Sequence, residues 1–199
     1  MPRELLIQEF QGTSWVGVVP FRMSGVTRRG LPDLPWVSAF PELNVRLYVE
    51  RDGKPGVWFL SLDATNPLAV WAARTFFHLP YYRARMSLRR EGEDYVYASE
   101  RAGAAFQGRY RPTSDVFAAR PGSLEHWLTE RYCLYARDRR GALWRNEVHH
   151  RPWPLQAASA EVERNTFFDF HTLATPGSPP LLHFSKRLDV VVWGGERLT

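Results

Sequence analysis

Polar and apolar side chains alternate along the segment Phe40–Val49 (FPELNVRLYV). Alternate residues of an extended strand point to the same side, so Glu42, Asn44, Arg46 and Tyr48 would share one face. Such a set of side chains can bind a polar organic molecule, and a buried carboxyl group can also act as a general acid or base. The alternation fits the lining of an interior cavity and an ordinary solvated face equally well.

A second polar alternation follows a predicted helix. Asn66 is a good N-cap and Pro67 suits the first helical position, so a helix is predicted to begin there. Pro80 ends it, and the segment Tyr81–Arg90 is predicted to be one strand, on which Tyr81 and Arg83 share a face. The spacing of apolar residues predicts that the helix buries the face formed by Leu68, Trp71, Ala72, Phe76 and Leu79.

Short alternating segments separated by turn residues make up most of the remaining chain. The residues 156–163 are also predicted to be a strand, Gly108 is expected to mark a bulge, and a second helix is expected after the N-cap Ser123. The segments Glu4–Phe10 and Trp15–Phe21 are predicted to pair as a hairpin, and Arg28–Trp36 to be a loop. About ten short strands with two helices predict an α+β domain in which helices pack on an antiparallel barrel or sandwich.

Composition excludes several classes of protein. With 44% hydrophobic and 14% aromatic residues in 199, the chain can bury a substantial core as a single domain. Of the 26 basic residues 24 are arginines, but they are scattered among 21 acidic ones, so a nucleic-acid partner is not expected. Cys133 is the only cysteine, which fits a cytoplasmic protein, and no apolar run is long enough to cross a membrane. The six histidines have no metal-ligand spacing, and neither a metal nor a cofactor is expected.

Several long motifs resemble one bacterial family, domain of unknown function 2071. They follow one another in order over nearly the whole chain: WVGVVPFRMSGV, FPELNVRLYV, GVWFLSLDA, FHLPYYRARM, RPGSLEHWLTERYCLYA and HFSKRLDVVVW. This resemblance implies an acetoacetate decarboxylase-like fold, which is a curved antiparallel barrel-like sheet around a central cavity with two or three flanking helices. It implies no reaction, because the function of the family is not established.

The more distant resemblance to acetoacetate decarboxylase fails at the catalytic amine. That enzyme has a Pro-Lys-Lys segment after a helix, where one lysine forms a Schiff base, and the matching residues here are Pro80, Tyr81 and Tyr82. A phenol cannot form an imine, so lysine chemistry is not expected at this position. By the same resemblance, Glu42 is the match for a glutamate in the decarboxylase cavity.

The resemblance also bears on the start of the chain. Members of the family usually have a strand and a helix before the segment that matches Leu5–Phe21. A domain of residues 1–199 without them would have an unpaired sheet edge, and such an edge promotes association. We therefore expect a possible homodimer through an exposed sheet edge.

Three functions remain open from the sequence. The first is the binding of a small polar or aromatic organic molecule in a cavity lined by Glu42, Asn44, Arg46, Tyr81 and Arg83. The second is an enzyme of the lyase, isomerase or hydrolase type that uses the same cavity, with Glu42 as acid or base and Tyr81 or Arg46 stabilising an oxyanion. An arginine paired with Glu42 would favour binding, whereas an isolated, buried Glu42 with a raised pKa would favour catalysis. A structural or nucleic-acid interaction module is the third.

Overall fold

The computed structural model describes residues 1–25, 39–174 and 176–198, and the predicted loop Arg28–Trp36 lies outside these residues. Three helices lie in the described part of the chain: α1 (Pro67–Phe76), α2 (Leu124–Thr129) and α3 (Phe167–Phe170). The strands in the first half of the same residues are β1 (Leu6–Ile7), β2 (Glu9–Phe10), β3 (Thr13–Ser14), β4 (Val16–Met23), β5 (Phe40–Arg51), β6 (Lys54–Ala64), β7 (Tyr81–Arg83), β8 (Arg85–Glu91) and β9 (Asp94–Arg101). Those in the second half are β10 (Ala104–Pro112), β11 (Phe117–Ala118), β12 (Cys133–Arg137), β13 (Leu143–His150), β14 (Pro154–Asn165), β15 (His183–Phe184), β16 (Val190–Val192) and β17 (Glu196–Leu198).

Two large sheets contain nearly all of these strands. The first has nine strands with the central order β1-β5-β6-β12-β13-β16, and β4, β7 and β17 pair with β5, β6 and β13. The second has six strands, in the order β11-β14-β10-β9-β8 with β15 paired to β14. Most pairs are antiparallel, but β12 and β7 run parallel to β6. The predicted α+β class is confirmed, but the predicted barrel is not found, because the described strands do not close into one.

The core has one layer on each face of β5. Leu43 and Val45 pack with Tyr97, Phe106 and Phe167 from the six-stranded sheet and α3. On the opposite face, Phe40 and Tyr48 join a cluster that contains side chains from β6, α1, β7 and β12 and is covered in part by α2. Strand β5 is therefore buried on both sides, so its polar residues cannot form a solvated face.

The helix α1 begins where the sequence predicts and buries a different face. Asn66 accepts hydrogen bonds from the backbone N–H groups of Leu68 and Ala69, as an N-cap does. The prediction of the buried face is wrong for Leu68, Trp71 and Phe76, whose side chains are 59–62% exposed, whereas Leu79, beyond the end of the helix, is buried as predicted. Apolar residues lie all around this helix, and the smaller set of Ala69, Val70 and Ala73 packs against the core.

Two strand predictions also need correction. The predicted strand Tyr81–Arg90 is interrupted at Ala84, where the chain leaves the nine-stranded sheet and enters the six-stranded one. The segments Glu4–Phe10 and Trp15–Phe21 do not pair with each other, because β1 and β4 both pair with β5. In both cases, alternation marks extended backbone without identifying the partner strand.

Other local predictions are confirmed. The register of β10 and β14 shifts between Gln107 and Gly108, where a Cβ atom on Gly108 would lie 2.8 Å from the carbonyl oxygen of Glu161. Ser123 caps α2 through the backbone N–H of His126, and residues 156–163 lie within β14. No helix in the described ranges is long and apolar enough to cross a membrane.

Candidate functional site

Strand β5 carries three buried or half-buried polar side chains on the face that is covered by the helices. Glu42 and Asn44 are buried and Arg46 is half-buried, between the core residues Phe40 and Tyr48. Strands β4 and β6 pair with β5 on its two sides over Glu42, Asn44 and Arg46. The predicted alternation is therefore confirmed, and the polar face points into the interior.

Glu42 is a buried carboxyl group with a single side-chain partner among the described residues. The phenol of Tyr81 donates a hydrogen bond of 2.8 Å to its Oε2 atom. Burial raises the pKa of Glu42 from its ordinary 4.5 to about 7, and the Tyr81 hydrogen bond offsets only part of this effect. The pKa of Tyr81 is itself raised by burial and by the charge of Glu42, so its phenol keeps its proton.

Three contacts fix the relative positions of these two residues. Tyr81 pairs with Leu62 of β6 in the parallel ladder, which places it beside the centre of the sheet. Arg74 of α1 donates from Nε to the carbonyl oxygen of Tyr81 at 2.6 Å and so ties the helix to the strand. The Tyr97 phenol, from the six-stranded sheet, donates to the carbonyl oxygen of Glu42 at 2.6 Å.

Asn44 and Arg46 have polar atoms that lack partners in the described protein. The Oδ1 atom of Asn44 and the Nε atom of Arg46 are buried without a hydrogen bond, which is costly in a folded core. Arg46 contacts the phenol oxygen of Tyr48 at 3.4 Å and forms no ion pair with Glu42. Gly17 lies opposite Arg46, where a Cβ atom would be 3.2 Å from both Arg46 Cγ and the Tyr48 oxygen.

Arg83 is the one predicted lining residue that the structure places elsewhere. It ends β7 opposite Ala64 and its side chain is exposed. The exposed Arg85 begins β8 in the other sheet, beyond the crossing at Ala84. The structure thus brings together Glu42 and Tyr81, with Asn44 and Arg46 further along the same strand face.

A polar network that the sequence did not reveal lies on the opposite face of β6. Asp63 is fully buried and accepts hydrogen bonds from Ser99 Oγ at 2.8 Å and from Arg101 Nε at 2.6 Å. The guanidinium of Arg101 lies 4.1 Å from the ring centroid of Tyr82 and 4.2 Å from that of Phe170. This network joins the two sheets to α3.

Ser61 and His171 form a second buried contact near Arg101, 2.8 Å between Oγ and Nε2. Burial, together with the charge of Arg101, lowers the pKa of His171 to about 4. The imidazole is therefore neutral at physiological pH, and Ser61 is fully buried, so this pair holds α3 rather than attacking a substrate. Ser61 and Asp63 alternate with Leu62, which was a visible signal, but their partners are 36 to 110 residues away.

No lysine lies at the Glu42 site. Lys54 pairs with Glu147 at 2.5 Å, and Lys186 is exposed near the end of the chain. These are the only lysines in the sequence, so the Glu42–Tyr81 pair has no amine for imine formation. Within the described ranges no group of three His, Cys, Asp or Glu side chains could hold a metal ion.

Two surface cavities lie away from the Glu42 carboxyl group. One, of about 290 Å³, is lined by Trp58, His78, Pro80 and Arg137 among others. The other, of about 610 Å³, is lined by residues that include Glu93, Arg111 and Asp115. We assign the site to the β5 face, because the raised pKa of Glu42 occurs there on the same strand as the unpaired buried atoms of Asn44 and Arg46, whereas the buried Asp63 carboxyl group is paired with Arg101 and Ser99.

The fold is that of the acetoacetate decarboxylase class. The crystal structure of acetoacetate decarboxylase from Legionella pneumophila superposes with a TM-score of 0.64 at 13% identity, covering 100% of this chain and 78% of that one. The enduracididine biosynthesis enzyme MppR complexed with pyruvate gives a TM-score of 0.54 at 16% identity, over 81% of this chain and 67% of that one. At these identities the likeness shows the fold alone.

Within that class, the chain belongs to the DUF2071 family, whose description is "uncharacterized conserved protein". The family model matches residues 1–189, which confirms the resemblance found in the motifs. The uncharacterized protein YqjF of Bacillus subtilis (strain 168) is 46% identical over 196 residues, covering 97% of this chain and 81% of that protein.

Proposed function

We propose that this protein binds a small polar organic molecule at the β5 face, with Glu42, Asn44, Arg46 and Tyr81 as its contacts. The unpaired, buried atoms Asn44 Oδ1 and Arg46 Nε carry the proposal. A bound molecule with a donor and an acceptor would satisfy both of them and recover the cost of their burial. Arg83, which is exposed, would contribute at most at the entrance.

One observation favours an enzyme as the second candidate. Glu42 has no arginine partner among the residues that the structure describes, and its pKa of about 7 leaves it partly protonated at neutral pH. A general acid or base works best when its pKa lies near the working pH. In that role Glu42 would move a proton to or from the bound molecule, the Tyr81 O–H would hold the carboxyl group, and Arg46 would stabilise negative charge on an oxygen.

We expect Tyr81→Phe to weaken ligand binding about tenfold, because it removes the hydroxyl group that donates to Glu42 and keeps the ring. Native mass spectrometry of freshly purified protein identifies a co-purifying molecule, and titration of the stripped protein with it gives the affinity. Tyr95→Phe is the matched control, since Tyr95 stacks on Tyr110 in the six-stranded sheet. Equal losses in the two variants would contradict the proposed site.

The same titration separates binding from catalysis when it is followed by NMR over hours. A ligand that is recovered unchanged supports binding. Conversion that is lost in Glu42→Gln while the ligand still binds supports an enzyme of the lyase, isomerase or hydrolase type.

We include a cytoplasmic location in the proposal, because the single Cys133 is buried and unpaired.

We also propose that two copies of the chain associate through the edge strand β16. Val190, Val191 and Val192 are 41–49% exposed on the last strand of the nine-stranded sheet, and among the described strands only β13 pairs with them. An apolar edge of this kind can pair with a second copy of itself about a twofold axis. Light scattering after size exclusion should show a dimer that Val191→Lys converts to a monomer. A dimer that survives Val191→Lys and is lost in Ile7→Lys would place the contact at β1 instead.

A further inference from the structure

Two guanidinium groups flank the ring of Tyr48 at the end of the β5 face. The Cζ atoms of Arg46 and Arg131 each lie 5.5 Å from the centroid of the Tyr48 ring. Arg46 comes from β5, whereas Arg131 comes from the segment that follows α2 and is 7% exposed. The two positive charges therefore share one buried region.

Arg131 is held by hydrogen bonds and a ring contact, without a direct ion pair among the described residues. Its Nε atom donates to the carbonyl oxygen of Trp127 at 2.7 Å, and its guanidinium lies 4.3 Å from the Trp127 ring centroid. It also donates to Gln8 Oε1, and Gln8 in turn donates to Glu50 at 2.5 Å. Neither Arg46 nor Arg131 has a carboxylate within 4.0 Å among the described residues.

Three donors in this region lack an acceptor. They are Arg46 Nε, Arg131 Nη2 and Trp15 Nε1, all buried and without a hydrogen bond in the described protein. Trp15 packs against the same core cluster as Tyr48. A water molecule could accept a hydrogen bond from such donors, but it would not offset the repulsion between the half-buried Arg46 and the buried Arg131. An anion would do both.

We propose that the region around Arg46, Arg131 and Trp15 binds the carboxylate end of an elongated organic monoanion whose other end lies at Glu42 and Tyr81. This inference rests on the proposed function and names its ligand class. A rise of about 3.3 Å per residue separates the Cα atoms of Arg46 and Glu42 by about 13 Å along β5, which favours a molecule longer than a two- or three-carbon acid. Glu50, reached through Gln8, balances one of the two positive charges, which favours a monoanion over a phosphate dianion.

A paired ligand series tests this inference on the unmodified protein. Linear carboxylic acids of two to eight carbons and their primary amides are titrated by calorimetry into stripped protein. We expect the longer carboxylates to bind about ten- to a hundredfold more tightly than their amides, because a charge-assisted contact replaces a neutral one. Affinity should rise with chain length until both ends are reached.

Two variants test whether Arg46 causes the preference for carboxylates over amides. Arg46→Met should remove the preference for carboxylate over amide, and Arg89→Met, at an exposed ion pair with Glu91, should keep the preference. Carboxylates that bind no better than amides, or that do not bind at all, would overturn the inference. The proposed function is judged separately, by whether a co-purifying molecule depends on Tyr81. The acid–amide comparison needs no variant, so it stands even if Arg46→Met does not fold.

Discussion

Replacing Arg101 by leucine is expected to lower the free energy of unfolding by about 3–5 kcal/mol at pH 8. The side chain of Arg101 is 5% exposed and that of Asp63 is fully buried, so the variant leaves a carboxylate in the core without its cation. Ser99 would remain its only hydrogen-bond donor among the described residues. The variant also removes the cation from between Tyr82 and Phe170, which loosens α3. Chemical denaturation monitored by circular dichroism measures the loss.

An exposed arginine–aspartate pair within the six-stranded sheet provides the control. Arg109 lies 3.3 Å from Asp94, and its side chain is 44% exposed, so Arg109→Leu should cost less than about 1 kcal/mol. The loss in Arg101→Leu should also shrink as the pH falls. Without Arg101 the pKa of Asp63, already raised by burial, rises further, and protonation then removes the unpaired charge. Equal losses in the two variants, or a loss independent of pH, would show that the buried pair does not hold the sheets together.

Glu42 should destabilise the folded protein as the pH rises from about 5 to 8. Its pKa is raised from 4.5 to about 7 by folding, so its contribution is most favourable below 4.5 and is lost as the pH increases toward 7. At about 1.4 kcal/mol per pKa unit, the total is about 3 kcal/mol. We therefore expect Glu42→Gln to be more stable than the parent protein by up to about 3 kcal/mol at pH 8 and nearly equal to it at pH 5. Urea unfolding at several pH values gives the comparison.

The comparison of the two proteins isolates Glu42 from His171. Folding lowers the pKa of His171 from 6.5 to about 4, so this residue costs stability as the pH falls through that range in both proteins. The contribution of His171 therefore cancels in the difference between the two free energies of unfolding. A Glu42→Gln variant that is less stable than the parent at pH 8 would mean that Glu42 is ionised and well solvated, which would remove the basis for acid–base catalysis at this site. A gain in stability would fit a residue kept for function at the expense of the fold.

Long sequence motifs allowed both the fold class and the family to be predicted. The motifs that resembled domain of unknown function 2071 correspond to a family match over residues 1–189. Local chemistry was equally informative: Asn66 and Ser123 cap their helices, and Gly108 lies at a register shift. These features depend on a few adjacent residues, so the sequence contains all that is needed to recognise them.

The sequence did not show which segments pack against each other. The apolar residues of α1 surround the helix, so periodicity could not select Val70 over Trp71 as the buried residue. Alternation marked Tyr81–Arg90 as extended, but only the packing of two sheets explains why the chain changes sheets at Ala84 and exposes Arg83. The sequence did not indicate a role for Arg131, because its contact with Tyr48 depends on the packing of α2 over β5.

Residue order alone shows which residues alternate on β5, and it shows that tyrosines rather than lysines occupy positions 81 and 82. Long-range packing buries this alternating face, because a second sheet covers one side of β5 and helices cover the other. Burial is also what raises the pKa of Glu42, and it depends on segments far away in the chain. Residue order fixes the chemistry of each side chain, whereas long-range packing fixes its exposure to water, and the behaviour of a carboxyl group depends on both.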